Sequence, residues 1–286
     1  MKFLIISKDR ACQAHALINS IQKYIGANTK YLSNVQIFVV YKASSEAYLR
    51  GYEILQSISH NTLFLQEEDS LQQTLLQSMD YMDDVTCLLT DDCMFFRTPP
   101  STIKEIEWVL HQSDIFTFSY RLGLNTTVQN YEHNILQPSI QQHMLFINNN
   151  DLICYNYKDH HKETNYGLHF GWDGMCYNTS MLRELFDYDL VGKASNPHAI
   201  YPQQLENYMS QLRDYEEKTN IACNISSSLI CMNYNSTHPH ANFNTVSLEE
   251  MNHAFLTGQQ IDIDSINFSN VNSCHQNLPF SFKKVF

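Results

Sequence analysis

At 286 residues, with 43% hydrophobic residues including 16 Phe and 17 Tyr, the chain can bury one large core or a core with a smaller companion. Thirty acidic against 18 basic residues give a formal net charge of -12. That balance excludes duplex nucleic acid as the main partner, because phosphate neutralisation needs clustered Lys and Arg. Phe3 to Ser7 is a continuous apolar run, the pattern of a central strand covered on both faces, and Lys8-Asp9-Arg10 makes a polar turn after it. Ala14, Leu17, Ile18, Ile21 and Ile25 then repeat at helical spacing. Val35 to Tyr41 reads as the second strand, and Ser44-Ser45 as the cap of a helix carrying Tyr48, Tyr52, Ile54 and Leu55. Thr62 to Gln66 is a short third strand, Leu71 to Met79 a helix, and Val85 to Thr90 a fourth strand ending at Asp91-Asp92.

Pro99-Pro100 breaks the pattern, a helix begins at Ser101, and Asp114 to Tyr120 has the character of a fifth strand. From about Val128 to Asn165 the chain is rich in Asn, Gln and His and has little periodicity. Gly171-Trp172-Asp173-Gly174 precedes a strand at Met175 to Tyr177 and a helix through Leu182 and Leu185. Gln203 to Leu212 and Ser247 to Leu256 are predicted helices, and residues from Ile261 onward a tail wrapping over the core. Alternating strands and helices of this kind build an α/β sheet with right-handed crossovers. Ligands of such sheets bind beyond the carboxyl ends of the strands, which places Lys8-Asp9-Arg10, Tyr41-Lys42 and Asp91-Asp92 around one crevice.

No apolar run approaches the roughly 20 residues needed to span a bilayer, and the N-terminal apolar run is too short for a signal peptide. The expected location is cytoplasmic, with at most peripheral membrane association. The eight cysteines show no zinc-ribbon spacing and read as buried thiols. Sequons at Asn125, Asn178, Asn224, Asn235 and Asn267 carry no weight without an export signal. Gly-x-Gly-x-x-Gly, the P-loop and Gly-x-Ser-x-Gly are missing, which removes dinucleotide oxidoreductase, P-loop NTPase and α/β-hydrolase readings. Asp159-His160-His161 matches a phosphoesterase signature only in isolation, in an irregular polar stretch without that class's other acidic motifs.

Two adjacent carboxylates at the end of an apolar strand are costly unless a cation or ligand compensates them. Mn2+ or Mg2+ suits such hard oxygen ligands, and a solvated turn is the alternative. With the first strand leading into Ser7-Lys8-Asp9-Arg10 and a strand-end aspartate pair about eighty residues later, the chain resembles GT-A glycosyltransferases, particularly family-2-like ones. The resemblance implies a Rossmann-like α/β/α sandwich with a mixed, mostly parallel central sheet. Its usual Asp-x-Asp is met here by Thr90-Asp91-Asp92, with Cys93 following. On that alignment Asp92 and Asp91 are expected at the metal, Asp91 also facing the ribose, and a late His275 as a third ligand or else a surface His. Ser7, Lys8, Arg10, Tyr41 and Lys42 are expected on the nucleotide side. Arg121, after Phe118-Ser119-Tyr120, is expected to contact donor or acceptor oxygens, or to be a solvated strand-end Arg. Trp172 offers a face to the donor sugar or anchors the core, and Asp173 hydrogen-bonds a sugar hydroxyl. Glu206, after Leu205, is the expected catalytic base, with Asp173 second, or else Glu206 sits on an exposed helix face. Residues 1–98 would form the nucleotide-sugar half, 99–240 the acceptor half, and 241–286 the tail. The implied activity moves a sugar from a nucleoside-diphosphate donor to a glycan or glycolipid hydroxyl, with inversion. An inactive sugar-binding or scaffold module and a metal-dependent phosphohydrolase are the rival readings.

Overall fold

The computed structural model describes residues 1–26, 36–68, 70–130, 135–140, 144–147, 152–187, 202–232, 234 and 246–284. The first part alternates β1 (Lys2–Lys8), α1 (Ala11–Ser20), β2 (Ile37–Lys42), α2 (Glu46–Ile58), β3 (Thr62–Gln66), α3 (Leu71–Met79) and β4 (Val85–Thr90). There follow β5 (Cys93–Phe95), α4 (Ile103–Leu110), β6 (Ile115–Ser119), β7 (Val128–Asn130), β8 (Ile135–Leu136), β9 (Met144–Ile147) and β10 (Leu152–Asn156). The remainder comprises β11 (Met175–Asn178), α5 (Thr179–Asp187), α6 (Pro202–Leu212), β12 (Asn220–Asn224), β13 (Leu229–Met232), α7 (Leu248–Leu256), β14 (Gln259–Ile261), β15 (His275–Gln276) and β16 (Phe282–Lys284). No described helix is long and apolar enough to cross a membrane.

Nine strands form the main sheet in the order β3-β2-β1-β4-β11-β6-β12-β10-β9. The β3-β2-β1-β4 pairs and the β6-β12 pair are parallel, while β11 and β10 run against their neighbours. The sheet is therefore mixed and mostly parallel, as expected. Its central strands β1, β2, β4 and β6 are mostly apolar and buried because both faces are covered. Alternate residues of β1 show this directly. Phe3 and Ile5 enter one core with α1, α2, α4 and α7, while Leu4 and Ile6 enter the other with α3, α5 and α6. The result is the anticipated α/β/α sandwich.

Local chemistry sets the element ends. Ser45 and Ser70 cap α2 and α3 through their hydroxyls, and Thr102 with Glu105 and Ser247 with Glu250 form reciprocal capping boxes. Two details differ from the sequence expectation. The first helix does not stay α-helical to Ile25, because Ile21–Ile25 widens into a π turn. The helix after Pro99-Pro100 is capped by Thr102 rather than Ser101, whose side chain instead donates to Asn224 at 2.5 Å. The polar segment from Val128 contains β10, a buried strand paired with β12. Val35, Asn196-Pro197 and Asn235 lie outside the described residues.

A second, three-stranded sheet in the order β15-β13-β5 matters most for function. β5 begins immediately after Asp91-Asp92, pairs antiparallel with β13, and β13 pairs parallel with β15. The Met232 N–H donates to the Asp92 carbonyl at 2.7 Å, and Cys231 N–H to the Cys274 carbonyl at 2.8 Å. Residues near 92, 231 and 275 are thus tied together at the end of β4.

Candidate functional site

Asp91 and Asp92 follow the carboxyl end of β4 and have different hydrogen-bond partners. Asp91 is buried and accepts from Ser7 Oγ at 2.8 Å, from Lys8 N–H at 3.3 Å and from Arg10 Nη1 at 3.1 Å. Burial pushes its pKa up to about 6, against the pull of Arg10. Tyr52, itself buried, accepts from Arg10 N–H at 3.1 Å and shares a 2.6 Å hydrogen bond with Ser7 Oγ. Asp9 sits in the left-handed region at φ 61°, where Asp is one of the tolerated residues. Its Oδ1 accepts from Ser44 N–H at 2.6 Å, linking the β1 and β2 loops.

Asp92 faces a different group. Thr90 Oγ1 lies 2.6 Å from Asp92 Oδ1 and 3.1 Å from Asp173 Oδ1. A hydroxyl carries one proton, so it satisfies only one of these carboxylates at a time. Burial, then the charge of Asp173, raises the Asp92 pKa. Burial acts the same way on Asp173, but His275, Arg121 and hydrogen bonds from Thr90 and Cys231 outweigh it and hold this carboxyl below its ordinary value. His275 Nε2 is 3.4 Å from Asp173 Oδ2 and its side chain is 44% exposed, so the cluster opens to solvent on that side. Gly174, at φ 78°, turns the chain from Asp173 into β11; its N–H donates to the Leu88 carbonyl at 2.9 Å and locks the turn onto β4.

Arg121 is 2% exposed and pairs with Asp173 at 2.9 Å through Nη1. The alternative of a solvated strand-end Arg is thereby removed. Its Nε and Nη2 groups have no hydrogen-bond partner among the described residues. Glu206, on α6, accepts from Trp172 N–H at 3.3 Å, and burial, then Asp173, pushes its pKa up to about 7. Gly171 separates the two: a Cβ placed there would lie 3.6 Å from Glu206 Oε1 and 3.7 Å from Arg121 Nη2.

The structure thus assembles Asp92, Asp173, His275, Arg121 and Glu206 in one group, with Asp91, Ser7, Lys8 and Arg10 in a second group beside it. Three of the expected residues have other work. Trp172 is 1% exposed; its ring stacks on Phe186 at 5.9 Å and meets Phe170 edge-on, so it anchors the core and presents no free face to a sugar. Tyr41 is buried and stacked on Tyr52 at 4.4 Å, its hydroxyl bonded to Gln56 and Gln66; it lies behind the loop rather than lining it. Lys42 is engaged by Glu67 at 2.5 Å. Asp91, expected at the metal, is already compensated by Arg10 and Ser7, and the carboxylate beside Asp92 is Asp173. Thr90 was not singled out by the sequence beyond its place before Asp91, although a hydroxyl beside an acidic pair is the available signal. The His160 of the Asp-His-His run is buried and forms a ring contact with Tyr155 at 5.5 Å, which makes it part of the packing.

Asp92 and Asp173 offer hard carboxylate oxygens of the kind that Mn2+ or Mg2+ takes, with the His275 imidazole beside Asp173, but the three do not converge within 4.8 Å as the Cys93, Asp173 and Cys231 atoms do. A dication there also removes the repulsion that Thr90 relieves only halfway. Cys93 and Cys231 lie directly beneath, their Sγ atoms 3.6 Å apart; these are soft ligands unsuited to either ion.

No family model matches the sequence, and no curated protein matches it. The solved structures to which it is similar include S. aureus TarS 1-349, at 10% identity and a TM-score of 0.46, covering 80% of this chain and 59% of that one. A cytidylyltransferase from Leptospira borgpetersenii gives 13% identity and a TM-score of 0.40, covering 76% and 72%. The mannosyltransferase PcManGT from Pyrobaculum calidifontis, solved with GDP-Man and Mn2+, gives 11% identity and a TM-score of 0.31, covering 41% and 34%. The chain spans about three fifths of the TarS fragment and 36% of the longer TarS chain.

Proposed function

We propose that this chain is a cation-dependent glycosyltransferase moving a sugar from a nucleoside-diphosphate donor to a glycan or glycolipid hydroxyl, with inversion. One observation carries the reading. Asp92 and Asp173 share the Thr90 hydroxyl beyond the end of β4, His275 pairs with Asp173, and Glu206, with a pKa of about 7, lies across Gly171 from Arg121.

In this reading Asp92, Asp173 and His275 hold Mn2+ or Mg2+, which when bound supports the departing diphosphate as a Lewis acid. Asp91 is an anchor: its bonds to Ser7, Lys8 N–H and Arg10 fix the loop on the nucleoside side, residues 1–98. Residues 99–240 supply the acceptor side, and 241–286 bring in His275. Glu206 takes the proton of the acceptor hydroxyl as its oxygen bonds to the anomeric carbon. The bond from that carbon to the diphosphate oxygen breaks, its electron pair leaving with the diphosphate. A carboxyl with a pKa of about 7 is half deprotonated at neutral pH, which suits a base. Arg121 keeps both Asp173 and Glu206 compensated in a buried setting.

The test is thermal unfolding of wild type and Asp92→Ala against nucleoside diphosphates and sugar nucleotides, with and without Mn2+. A ligand at about 100 times its dissociation constant adds about 2.7 kcal/mol. Stabilisation by one nucleotide that requires Mn2+ and disappears in Asp92→Ala is the expected result. A folded protein that ignores every nucleotide would be a binding or scaffold module. Cleavage of simple phosphate esters without preference for a sugar nucleotide would make it a phosphohydrolase.

A further inference from the structure

Beneath the carboxylates, the site has a face of opposite chemical character. Cys93 and Cys231 are directly opposed across the β5-β13 pair, so their side chains leave the same face of that small sheet. Their sulfurs stand 3.6 Å apart. Two thiolates on one tetrahedral Zn2+, at about 2.3 Å each, stand about 3.8 Å apart. The spacing is therefore already that of a chelate. Asp173 adds a carboxylate oxygen, with the three ligand atoms all within 4.8 Å of one another. His275 Nε2, 3.4 Å from Asp173 Oδ2 on an exposed side chain, stands just outside that group and can supply the fourth donor by turning toward it. Among the described residues no other such group draws together. Cys87 and Cys176 are opposed in the same manner across β4 and β11, yet no carboxylate or imidazole joins them in a ligand group, so they remain packing thiols.

We propose that Cys93, Cys231, Asp173 and His275 form a Zn2+ site that shares Asp173 and His275 with the hard-cation centre, so that bound Zn2+ excludes Mn2+ or Mg2+. The two sites differ in Asp92 on one side and the two sulfurs on the other. Softness decides which ion each face takes: thiolates select Zn2+, carboxylates with water select Mn2+ and Mg2+. Each thiol gives up a proton on binding. The route for the ion passes the exposed edge of Asp173 and His275, since both sulfurs are fully buried. The exclusion clause rests on the cation centre of the proposed function; the Zn2+ site itself does not.

Co2+ serves as the optical probe for Zn2+ in the reduced full-length protein. Titration is expected to give a near-ultraviolet thiolate-to-cobalt absorption band that Zn2+ abolishes. Cys93→Ser and Cys231→Ser each lose the band, while Asp92→Ala keeps it. A band that survives in both Cys variants, or Co2+ binding without any thiolate band, overturns the proposal. Wild type alone supplies a second readout independent of whether the variants fold. Zn2+ added in weak buffer releases about two protons per protein, whereas release of none refutes thiolate ligation. Mn2+ binding, followed by its electron paramagnetic resonance, then separates the two ideas. Failure of Mn2+ to bind even without Zn2+ removes the hard-cation centre and leaves the Zn2+ site standing; Mn2+ binding undiminished at saturating Zn2+ overturns the sharing.

Discussion

Replacing Arg121 with Met keeps most of the side-chain volume and removes the charge facing Asp173. Arg121 is 2% exposed and 2.9 Å from that carboxylate, so the variant leaves a desolvated anion with fewer partners. Breaking one partner of a buried pair costs about 3–5 kcal/mol. Asp173 keeps Thr90 at 3.1 Å and His275 at 3.4 Å, and the unpartnered Nε and Nη2 groups of Arg121 disappear with it. Both facts place the expected loss at the low end, about 3 kcal/mol at pH 7.5 in chelator. The pH dependence has a definite sign. In wild type Asp173 is held below its ordinary value of 3.8, so its contribution is complete above that pH and is lost as pH falls through the lower folded value. Without Arg121 the carboxyl pKa rises, and protonation relieves the unpaired charge. The deficit of the variant is therefore greatest at neutral pH and shrinks on acidification. Urea unfolding monitored by tyrosine and tryptophan emission measures this, with Asp173→Asn and the double variant closing a thermodynamic cycle. A loss under about 1 kcal/mol, or strictly additive single variants, would refute the view that this pair balances the site.

Glu206→Gln is expected to lower kcat by about 10²–10⁴-fold with little change in donor affinity; the wild-type rate should rise with pH through about 7, and that limb should vanish in the variant's pH profile. His15 and His169 are buried and their pKa values are pushed down to about 4, so stability falls with acid from the unfolded value of 6.5 downwards. Each is expected to cost about 2 kcal/mol between pH 7 and pH 5, read as a drop in urea midpoint that His169→Gln reduces by its share. Gly174→Ala forces a Cβ at φ 78° to within 3.0 Å of both Leu229 Cδ atoms. We expect a loss of at least about 1–2 kcal/mol and weaker Mn2+ binding, seen by thermal unfolding and calorimetry, because the turn that aims Asp173 moves.

The alternation of strands and helices up to Thr90 was legible because its signals are local. Apolar runs covered on both faces, helical spacing and Ser or Thr caps act within a few residues, and β3, α3 and β4 fall where the pattern places them. The strand-end position of Asp91-Asp92 follows from the same signals. What the two aspartates do does not, because the groups around them come from Ser7, Arg10, Asp173 and His275, which are far away along the chain. Pairing of β1 and β11 with β4 brings in Ser7, Arg10 and Asp173, and pairing of β5, β13 and β15 brings in His275; these last three strands are two to four residues long, too short to carry a periodicity. Trp172 shows the same division: its residue type suits a sugar platform as well as a core, and only the packing of Phe186 and Phe170 against it decides. Sequence determined the layers and the place of the site, since local periodicity and capping suffice for both. Tertiary structure alone decided which charges are compensated, since compensation depends on distances of about 3 Å between segments that meet only after folding.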